Sequence, residues 1–307
     1  MHDLIIIGSG PAGLTAGLYA GRYRLNTLIF EKMNIGGQIT ISPTIENYPG
    51  FPGGIPTHEL IEKFKKQVDE LEIPIEMQEI LNIAHGIKQG RAIYTLGTSE
   101  KTYETKSLII ACGAQPKKLG VNGEEKFIGR GVSYCGTCDG PLFKGKEVLV
   151  IGGGDRALEE ALFLSGYATK VTLIHRRQEL RASKILIEKA KENSSISFIL
   201  DTLIEEISGQ NKVEGVKTRD VKTGKIKNLT CQGVFIFAGI LPNTAFLKDH
   251  LALDASGFVI TDENLKTSLH GVFACGDCRK KELYQVISAC AEGAEAAFAA
   301  HKYLLES

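Results

Sequence analysis

Residues 4–23 read LIIIGSGPAGLTAGLYAGRY: a short apolar run, closely spaced glycines, and then small and apolar residues. The apolar run is typical of a buried strand, and the residues after the glycines are typical of a helix. Gly8 can form the tight turn, Gly10 lets a pyrophosphate approach the backbone, and Gly13 lets helix and strand pack closely. Glu31 ends the next apolar run, where an acidic side chain can bind a ribose hydroxyl. The stretch therefore predicts a dinucleotide-binding strand–turn–helix unit.

The same pattern returns at residues 147–166, EVLVIGGGDRALEEALFLSG, with Gly152 and Gly154 in the turn and Ala157 in place of a third glycine. After the following apolar run the acid is missing. Four basic side chains stand there instead: His175, Arg176, Arg177 and Arg181. Guanidinium groups bind a 2′-phosphate through charge-assisted hydrogen bonds, whereas a carboxylate would repel it. We therefore expect the second unit to prefer NADPH over NADH; the plainer alternative is a solvated basic surface.

Strand-like and helix-like segments alternate along the chain, which favours an α/β fold with parallel sheets. The 307 residues are enough for two hydrophobic cores. Because the two glycine motifs differ in the charge of the residues that follow them, we expect two different dinucleotides. That pairing suggests a flavoprotein reductase.

The composition excludes several classes of partner. Lys and Arg number 36, as do Asp and Glu, so no electrostatic reason exists to expect nucleic acid or an anionic membrane. The first ten residues, MHDLIIIGSG, contain neither a basic region nor an apolar segment long enough for a signal peptide or membrane helix. We therefore expect a cytoplasmic, reducing setting.

Residues 133–140 read SYCGTCDG, a cysteine pair followed directly by an acid. The seven cysteines argue against a framework of structural disulfides, because the count is odd and thiols stay reduced in such a setting. A second pair, Cys275 and Cys278, makes a four-cysteine zinc site an alternative. However, the second pair closes an apolar strand at a Gly-Asp turn suited to a flavin nucleotide. Asp139 beside Cys138 favours a redox pair, since a leaving thiolate must be protonated.

Six motifs together resemble the bacterial-type, low-molecular-weight thioredoxin reductases in order and spacing. They are GSGPAG, GGQI…ENYPGF, CGTCDG, GGGDRALEEA, HRRQELRAS and FACGD. The resemblance spans essentially the whole chain. It implies two Rossmann-like, three-layer ββα nucleotide-binding domains, the second inserted in the first. The FAD-binding domain would comprise residues 1–113 and 243–307, and the NADPH-binding domain, residues 114–242, would carry the CxxC and turn about a two-stranded hinge.

The resemblance also assigns roles to residues. FAD would be held by Gly8, Gly10, Gly13, Glu31, Gly37, Gln38, Asn47 and Asp277, with Gln285 and Val286 near the flavin. NADPH would be held by Gly152, Gly154, Ala157, His175, Arg176, Arg177 and Arg181. Hydride would pass from NADPH to FAD and then to the disulfide of Cys135 and Cys138, with Asp139 as acid and base. Cys138 would face the flavin, and Cys135 would attack the disulfide of thioredoxin or a thioredoxin- or glutaredoxin-like protein. A homodimer and no metal would be expected.

Several positions depart from the family pattern: Arg156 replaces a usual serine, Tyr284 a usual arginine, Cys112 a usual threonine, and Cys278 adds the second CxxC. Other functions remain open at this point. A ferredoxin–NADP reductase of the same architecture would lack the CxxC. A small-molecule dithiol oxidase or a ferredoxin-linked reductase would be expected to lack the basic signature. A non-catalytic nucleotide-binding regulator or a zinc-stabilised interaction module is the alternative from another class.

Overall fold

The computed structural model of the protein describes residues 1–41, 44–45, 47–88 and 91–306. The chain divides into two compact units. Unit 1 comprises Met1–Thr40, Tyr48–Gln115 and Leu241–Ser307, and unit 2 comprises Ile41–Asn47 and Pro116–Ile240. Most of unit 2 is thus inserted between two segments of unit 1. The units are defined by packing alone, and the assignment of one to each nucleotide remains a proposal.

The strands, in chain order, are His2–Ile7 (β1), Thr27–Phe30 (β2), Thr44–Ile45 (β3), Ile55–Pro56 (β4), Ile75–Glu76 (β5), Asn82–Lys88 (β6), Arg91–Gly97 (β7), Thr102–Ile110 (β8), Ala114–Pro116 (β9), Val132–Ser133 (β10), Glu147–Ile151 (β11), Lys170–Ile174 (β12), Ile196–Ile199 (β13), Thr202–Ser208 (β14), Gly215–Asp220 (β15), Ile226–Thr230 (β16), Gly233–Ile236 (β17), Ile240–Pro242 (β18) and Val272–Ala274 (β19).

The α-helices are Pro11–Arg22 (α1), Thr57–Asp69 (α2), Gly136–Asp139 (α3), Asp155–Leu164 (α4), Lys184–Glu192 (α5) and Val286–Glu306 (α6). Short 3-10 helices lie at Gly37–Ile41, Glu125–Phe127, Gly140–Phe143, Ala245–Leu247 and Gly276–Cys278. Among the described residues, no helix combines the length and the apolar composition that a bilayer crossing demands.

Unit 1 contains five parallel strands in the order β5-β2-β1-β8-β19. β7 pairs with β8 in the antiparallel direction, and β6 pairs with β7 in the same way. Alternate residues of β1 enter different cores. Leu4 and Ile6 pack in the core that contains residues of α1 and α6, and Ile5 and Ile7 pack in the core that contains residues of β6 and β7. Burial on both faces explains why β1 reads as a continuous apolar run.

Unit 2 repeats this plan with a parallel sheet in the order β10-β17-β11-β12-β13. Val148 and Val150 of β11 pack with residues of α4 and α5, whereas Leu149 and Ile151 pack with residues of the antiparallel β14-β15-β16 sheet. The parallel sheet thus has helices on one face and a second sheet on the other. The predicted α/β class with two Rossmann-like, three-layer units is confirmed, and in each unit the glycine turn follows the central strand of the parallel sheet.

Candidate active site: two glycine turns and a cysteine pair

The first glycine turn joins β1 to α1 in unit 1. Gly8 has φ +109°, and a Cβ there would lie 2.3 Å from the carbonyl oxygen of Ala111. A Cβ at Gly13 would lie 1.8 Å from the carbonyl oxygen of Gly8, so packing requires both glycines. Gly10 is different, because the nearest atom to its missing Cβ is the oxygen of Gly36 at 3.9 Å. It caps the N-terminus of α1 and leaves the backbone open to an anion, as a pyrophosphate needs.

Glu31 holds this turn from the end of the next strand. Its Oε2 accepts hydrogen bonds from the backbone N–H of Ser9 at 3.0 Å and from the Ser9 hydroxyl at 2.8 Å. Its Oε1 accepts from the N–H of Met33 at 2.9 Å. Oε1 can accept a further hydrogen bond, and binding of a ribose hydroxyl there stays a prediction. Ser9, which the sequence analysis passed over, ties this carboxylate to the glycine turn.

The Gly276–Cys278 turn lies against the same end of α1, because a Cβ at Gly276 would meet the Cβ of Ala12 at 2.8 Å. The structure therefore brings the predicted nucleotide residue Asp277 close to the first glycine turn. Gln285 directly precedes α6, and its carbonyl accepts the N–H of Ala289, while Val286 is the first residue of that helix. Gly37 and Gln38 begin their 3-10 helix, where Gly37 has φ +59°. Asn47 is grouped with unit 2, and its role stays a prediction.

A network of charges that sequence reasoning missed fixes the Asp277 turn. Lys281 Nζ lies 2.9 Å from Asp277 Oδ1 and 3.4 Å from Glu292 Oε1, and Arg279 lies 3.1 Å from the same Glu292 oxygen. Glu292 also accepts the N–H of Gly276 at 2.7 Å. The Lys281 side chain is only 6% exposed. The signal in the sequence was the run CRKKE directly after the Gly-Asp turn, with Glu292 on the following helix.

The second glycine turn joins β11 to α4 in unit 2 and uses the same design. A Cβ at Gly152 would meet the Cβ of Ala157 at 2.6 Å and the carbonyl oxygen of Phe237 at 2.9 Å. Gly154 caps α4, and nothing lies within 4 Å of its missing Cβ. The two turns therefore share one closely packed glycine and one open glycine at a helix N-terminus, which suits a second pyrophosphate.

His175 differs from the arginines that follow it. Its ring packs on Gly153, whose Cβ would lie 2.4 Å from Cε1. Burial lowers the pKa of His175, and the positive charges of Arg181, Arg176 and Arg177 lower it further. The imidazole is therefore neutral near pH 7 and does not add to the positive charge of the cluster. The three arginines are exposed, and within the described part of the chain no carboxylate forms an ion pair with them.

The cysteine pair lies at the start of α3 in unit 2. Cys135 and Cys138 form a disulfide with a Cα–Cα distance of 5.3 Å, and both residues are partly exposed. Asp139 is 9% exposed, and the Ser133 hydroxyl donates a 2.6 Å hydrogen bond to its Oδ2. Ser133 also accepts the N–H of Cys135 at 3.1 Å. Ser133 thus links Asp139 to the redox pair. Nothing in the sequence indicated this role except that Ser133 lies two residues before Cys135.

Tyr134 anchors the same loop to a buried carboxylate. Its hydroxyl donates a 2.8 Å hydrogen bond to Glu124, which also accepts the N–H groups of Leu119 and Gly120. Glu124 therefore accepts three hydrogen bonds from residues of unit 2. The residue directly before Cys135 is fixed by this contact, which holds the pair in place.

The second CxxC lies in a different environment from the Cys135–Cys138 pair. Cys275 and Cys278 are free thiols buried in unit 1, and burial raises the pKa of Cys275. A hydrogen bond with Cys278 and burial likewise raise the pKa of Cys112. Cys278 donates to the carbonyl oxygens of Ile110 and Cys275, both at 3.3 Å. The described residues contain no group of three or more His, Cys, Asp and Glu placed to hold a metal ion. These cysteines pack among apolar side chains of the two cores of unit 1.

Comparison with known proteins identifies the family to which the chain belongs. A family model described as pyridine nucleotide-disulphide oxidoreductase matches residues 2–293. The chain belongs to this family. It is 43% identical to a thioredoxin reductase of Peptoclostridium litorale, over 100% of this chain and 98% of that protein. A crystal structure of the thioredoxin reductase from Streptococcus pyogenes matches with a TM-score of 0.92 and 41% identity, covering 100% of this chain and 99% of that one.

A third relative adds a second domain. The bifunctional thioredoxin reductase/thioredoxin of Mycobacterium leprae is 38% identical over 100% of this chain, which covers 66% of that protein. The resemblance to low-molecular-weight thioredoxin reductases is thereby confirmed. The pyridine nucleotide-disulphide oxidoreductases pair a pyridine nucleotide with a flavin. The residues present fit two such groups, because each unit has an open glycine at the N-terminus of a helix that follows its central strand.

Proposed function

We propose that the protein is an NADPH-dependent thioredoxin-disulfide reductase with FAD as its flavin and Cys135–Cys138 as its redox relay. The observation that carries this proposal is the disulfide beside a buried acid, in a chain of this family. The acceptor would be thioredoxin or a thioredoxin- or glutaredoxin-like protein. The names of the relatives, one of which includes thioredoxin in the same chain, support that choice.

The chain's own residues account for the thiol chemistry. Opening the Cys135–Cys138 disulfide takes two electrons and two protons and leaves two thiols. We assign Cys135 to attack on the partner's disulfide and Cys138 to the inward position. Cys138 then attacks the mixed disulfide and releases the reduced partner. Asp139, held by Ser133, would exchange the protons at these sulfurs.

The nucleotide residues divide between the units. FAD would be held in unit 1 at the first glycine turn, with Glu31 and Asp277 oriented by their hydrogen bonds and ion pairs. NADPH would be held in unit 2 at the second turn, with Arg176, Arg177 and Arg181 on its 2′-phosphate. The chemistry that a bound flavin supplies is the transfer of two electrons from the pyridine nucleotide to the disulfide.

The exposed arginines also separate this proposal from its nearest alternatives. A reductase that takes electrons from ferredoxin, or an oxidase of small dithiols, has no use for a 2′-phosphate site. A solvated basic surface remains the competing explanation of the three arginines, and their substitution distinguishes the two. The proposal includes a homodimer, and it places the protein in the cytoplasm, where the five free cysteines would stay reduced.

Purified protein tests the proposal directly. We expect a flavin absorption band that NADPH bleaches, followed by reduction of thioredoxin disulfide in the presence of excess NADPH. Glutaredoxin and a small disulfide, assayed in parallel, identify the acceptor class. A colourless protein, or one that NADPH reduces but that leaves every protein disulfide intact, would contradict the proposal.

Arg177→Ala is expected to raise the KM for NADPH by about 10- to 100-fold, because one charge-assisted interaction with a phosphate contributes ~1.5–3 kcal/mol. The KM for NADH should change less than about threefold, since NADH has no 2′-phosphate. Steady-state kinetics with both nucleotides measure the difference. Lys184→Ala is the matched control, because it removes an exposed positive charge from the start of α5. An equal loss for NADH and NADPH would favour the solvated surface.

A further inference from the structure

Glu160 is a buried carboxyl that the proposed relay does not use. It lies on α4 and is only 9% exposed. Burial raises the pKa of Glu160, while the positive charge of Arg156 lowers it. Burying a carboxyl is costly, and buried acids with a shifted pKa are concentrated at functional sites.

The carboxyl of Glu160 lies against the loop that closes the disulfide. A Cβ at Gly136 would meet Oε2 at 2.2 Å, so the carboxyl packs directly against the backbone of Gly136. The backbone N–H groups of Gly136 and Thr137 favour the ionised form of the same carboxyl. Gly136 and Thr137 are the two residues between Cys135 and Cys138, so the charge of Glu160 lies beside the residues that join the sulfurs.

The positive charge that faces Glu160 is partly solvated. Arg156 Nε lies 4.0 Å from Glu160 Oε1, and the Arg156 side chain is 41% exposed. Arg156 also lies over the ring of Phe237, with 5.8 Å between the guanidinium carbon and the ring centroid. Glu159 adds a second negative charge on the exposed side of α4, and Asp139 adds an acid on α3.

We propose that Glu160 is a positioning residue for the relay, whose carboxylate opposes thiolate formation at Cys135 and Cys138 and so makes their disulfide harder to reduce. The inference rests on the proposed function only in taking this pair as the redox centre. A negative charge destabilises a nearby thiolate, and a reduced pair whose thiolate is less stable forms less readily. Once the disulfide has been opened, the resulting pair of thiols would be a stronger reductant toward the protein partner.

The test measures the cysteine pair alone, without nucleotide or thioredoxin. The protein is equilibrated in ratios of reduced to oxidised dithiothreitol at about pH 9, because burial raises the pKa of Glu160 and the test needs its carboxylate form. In this exchange dithiothreitol loses two electrons and two protons and becomes its cyclic disulfide. The Cys135–Cys138 disulfide gains the two electrons and two protons and becomes two thiols. Alkylation and mass spectrometry of the peptide that contains the pair give the fraction reduced. This readout excludes the five other cysteines.

Glu160→Gln removes the charge but keeps the shape, and we expect it to shift the equilibrium toward the reduced pair by about tenfold. For a two-electron couple this is ~30 mV. Glu160→Asp keeps the charge, and its equilibrium should stay within about threefold of the parent value. Glu159→Gln is the matched control: it makes the same change at the neighbouring, exposed position, and should shift the equilibrium less than about twofold.

The outcomes separate electrostatics from packing. An unchanged equilibrium in Glu160→Gln, or equal shifts in the Gln and Asp variants, would overturn the inference. A shift confined to Glu160→Asp would overturn it too, because shape would then matter and charge would not. If the protein fails to reduce any protein disulfide but Glu160→Gln still shifts the equilibrium toward the reduced cysteine pair, only the proposed function is wrong. A pair that cannot be cycled at all would overturn both.

Discussion

Replacing Cys135 with serine is expected to abolish turnover with thioredoxin, by at least ~10⁴-fold, because the nucleophile of the exchange is removed. Bleaching of the flavin band by NADPH should survive, since that reaction needs the two glycine turns and no cysteine. Stopped-flow absorbance measures the bleaching, and a coupled thioredoxin assay measures turnover. The two readouts distinguish loss of the relay from loss of the fold.

The matched control for this substitution is Cys290→Ser. Cys290 is buried on α6, and its thiol contacts the carbonyl oxygen of Pro11 at 3.9 Å and the side chains of Thr15 and Tyr48. A serine hydroxyl can hydrogen-bond to the same groups. Both activities should remain within about twofold of the parent. Persistent turnover with thioredoxin in Cys135→Ser would show that electrons leave the protein by another route.

Asp139→Asn should lower the rate of thioredoxin reduction by about 10²- to 10⁴-fold, the usual contribution of a positioned acid or base. Asparagine has the same shape and can still accept the hydrogen bond of Ser133, but it cannot exchange a proton with the sulfurs. Single-turnover reduction of thioredoxin by protein that has been reduced beforehand isolates this step from the nucleotide reactions.

Ser133→Ala supplies the comparison for the acid. It removes the 2.6 Å hydrogen bond to Asp139 and leaves the carboxyl in place, so a loss of less than about tenfold is expected. The critical result is that Asp139→Asn lowers the rate more than Ser133→Ala does. If Asp139→Asn were as active as the parent, protons would come from water and Asp139 would be structural.

Much of the site was predictable because glycine requirements are local. Gly8 and Gly13 meet backbone atoms of their own strand–turn–helix unit or of the adjacent strand, so their spacing alone indicates the turn. The charge of Arg176, Arg177 and Arg181 likewise needs no tertiary partner to be inferred. The CxxC with its following acid could be identified for the same reason, since all three residues lie within one turn of chain.

Burial and long-range contacts were not predictable in this way. Sequence reasoning grouped His175 with the arginines as a nucleotide residue, but the neutrality of its imidazole depends on a ring packed against Gly153 and on the combined field of its neighbours. The Lys281–Glu292 pair joins a turn to a helix, and no short motif encodes that contact. The second CxxC has the spacing of a redox motif, yet its thiols are buried in the core of unit 1.

By itself, the sequence determined the α/β class, the two glycine turns and the redox pair, and it predicted a preference for a 2′-phosphate. Each of these depends on residue types at fixed spacings within one segment. Only the tertiary structure decided that Ser133 holds Asp139 and that Glu160 lies against Gly136. A hydrogen bond or a buried charge depends on distance and on exclusion of water, and residues far apart in the chain acquire both only when the core packs around them.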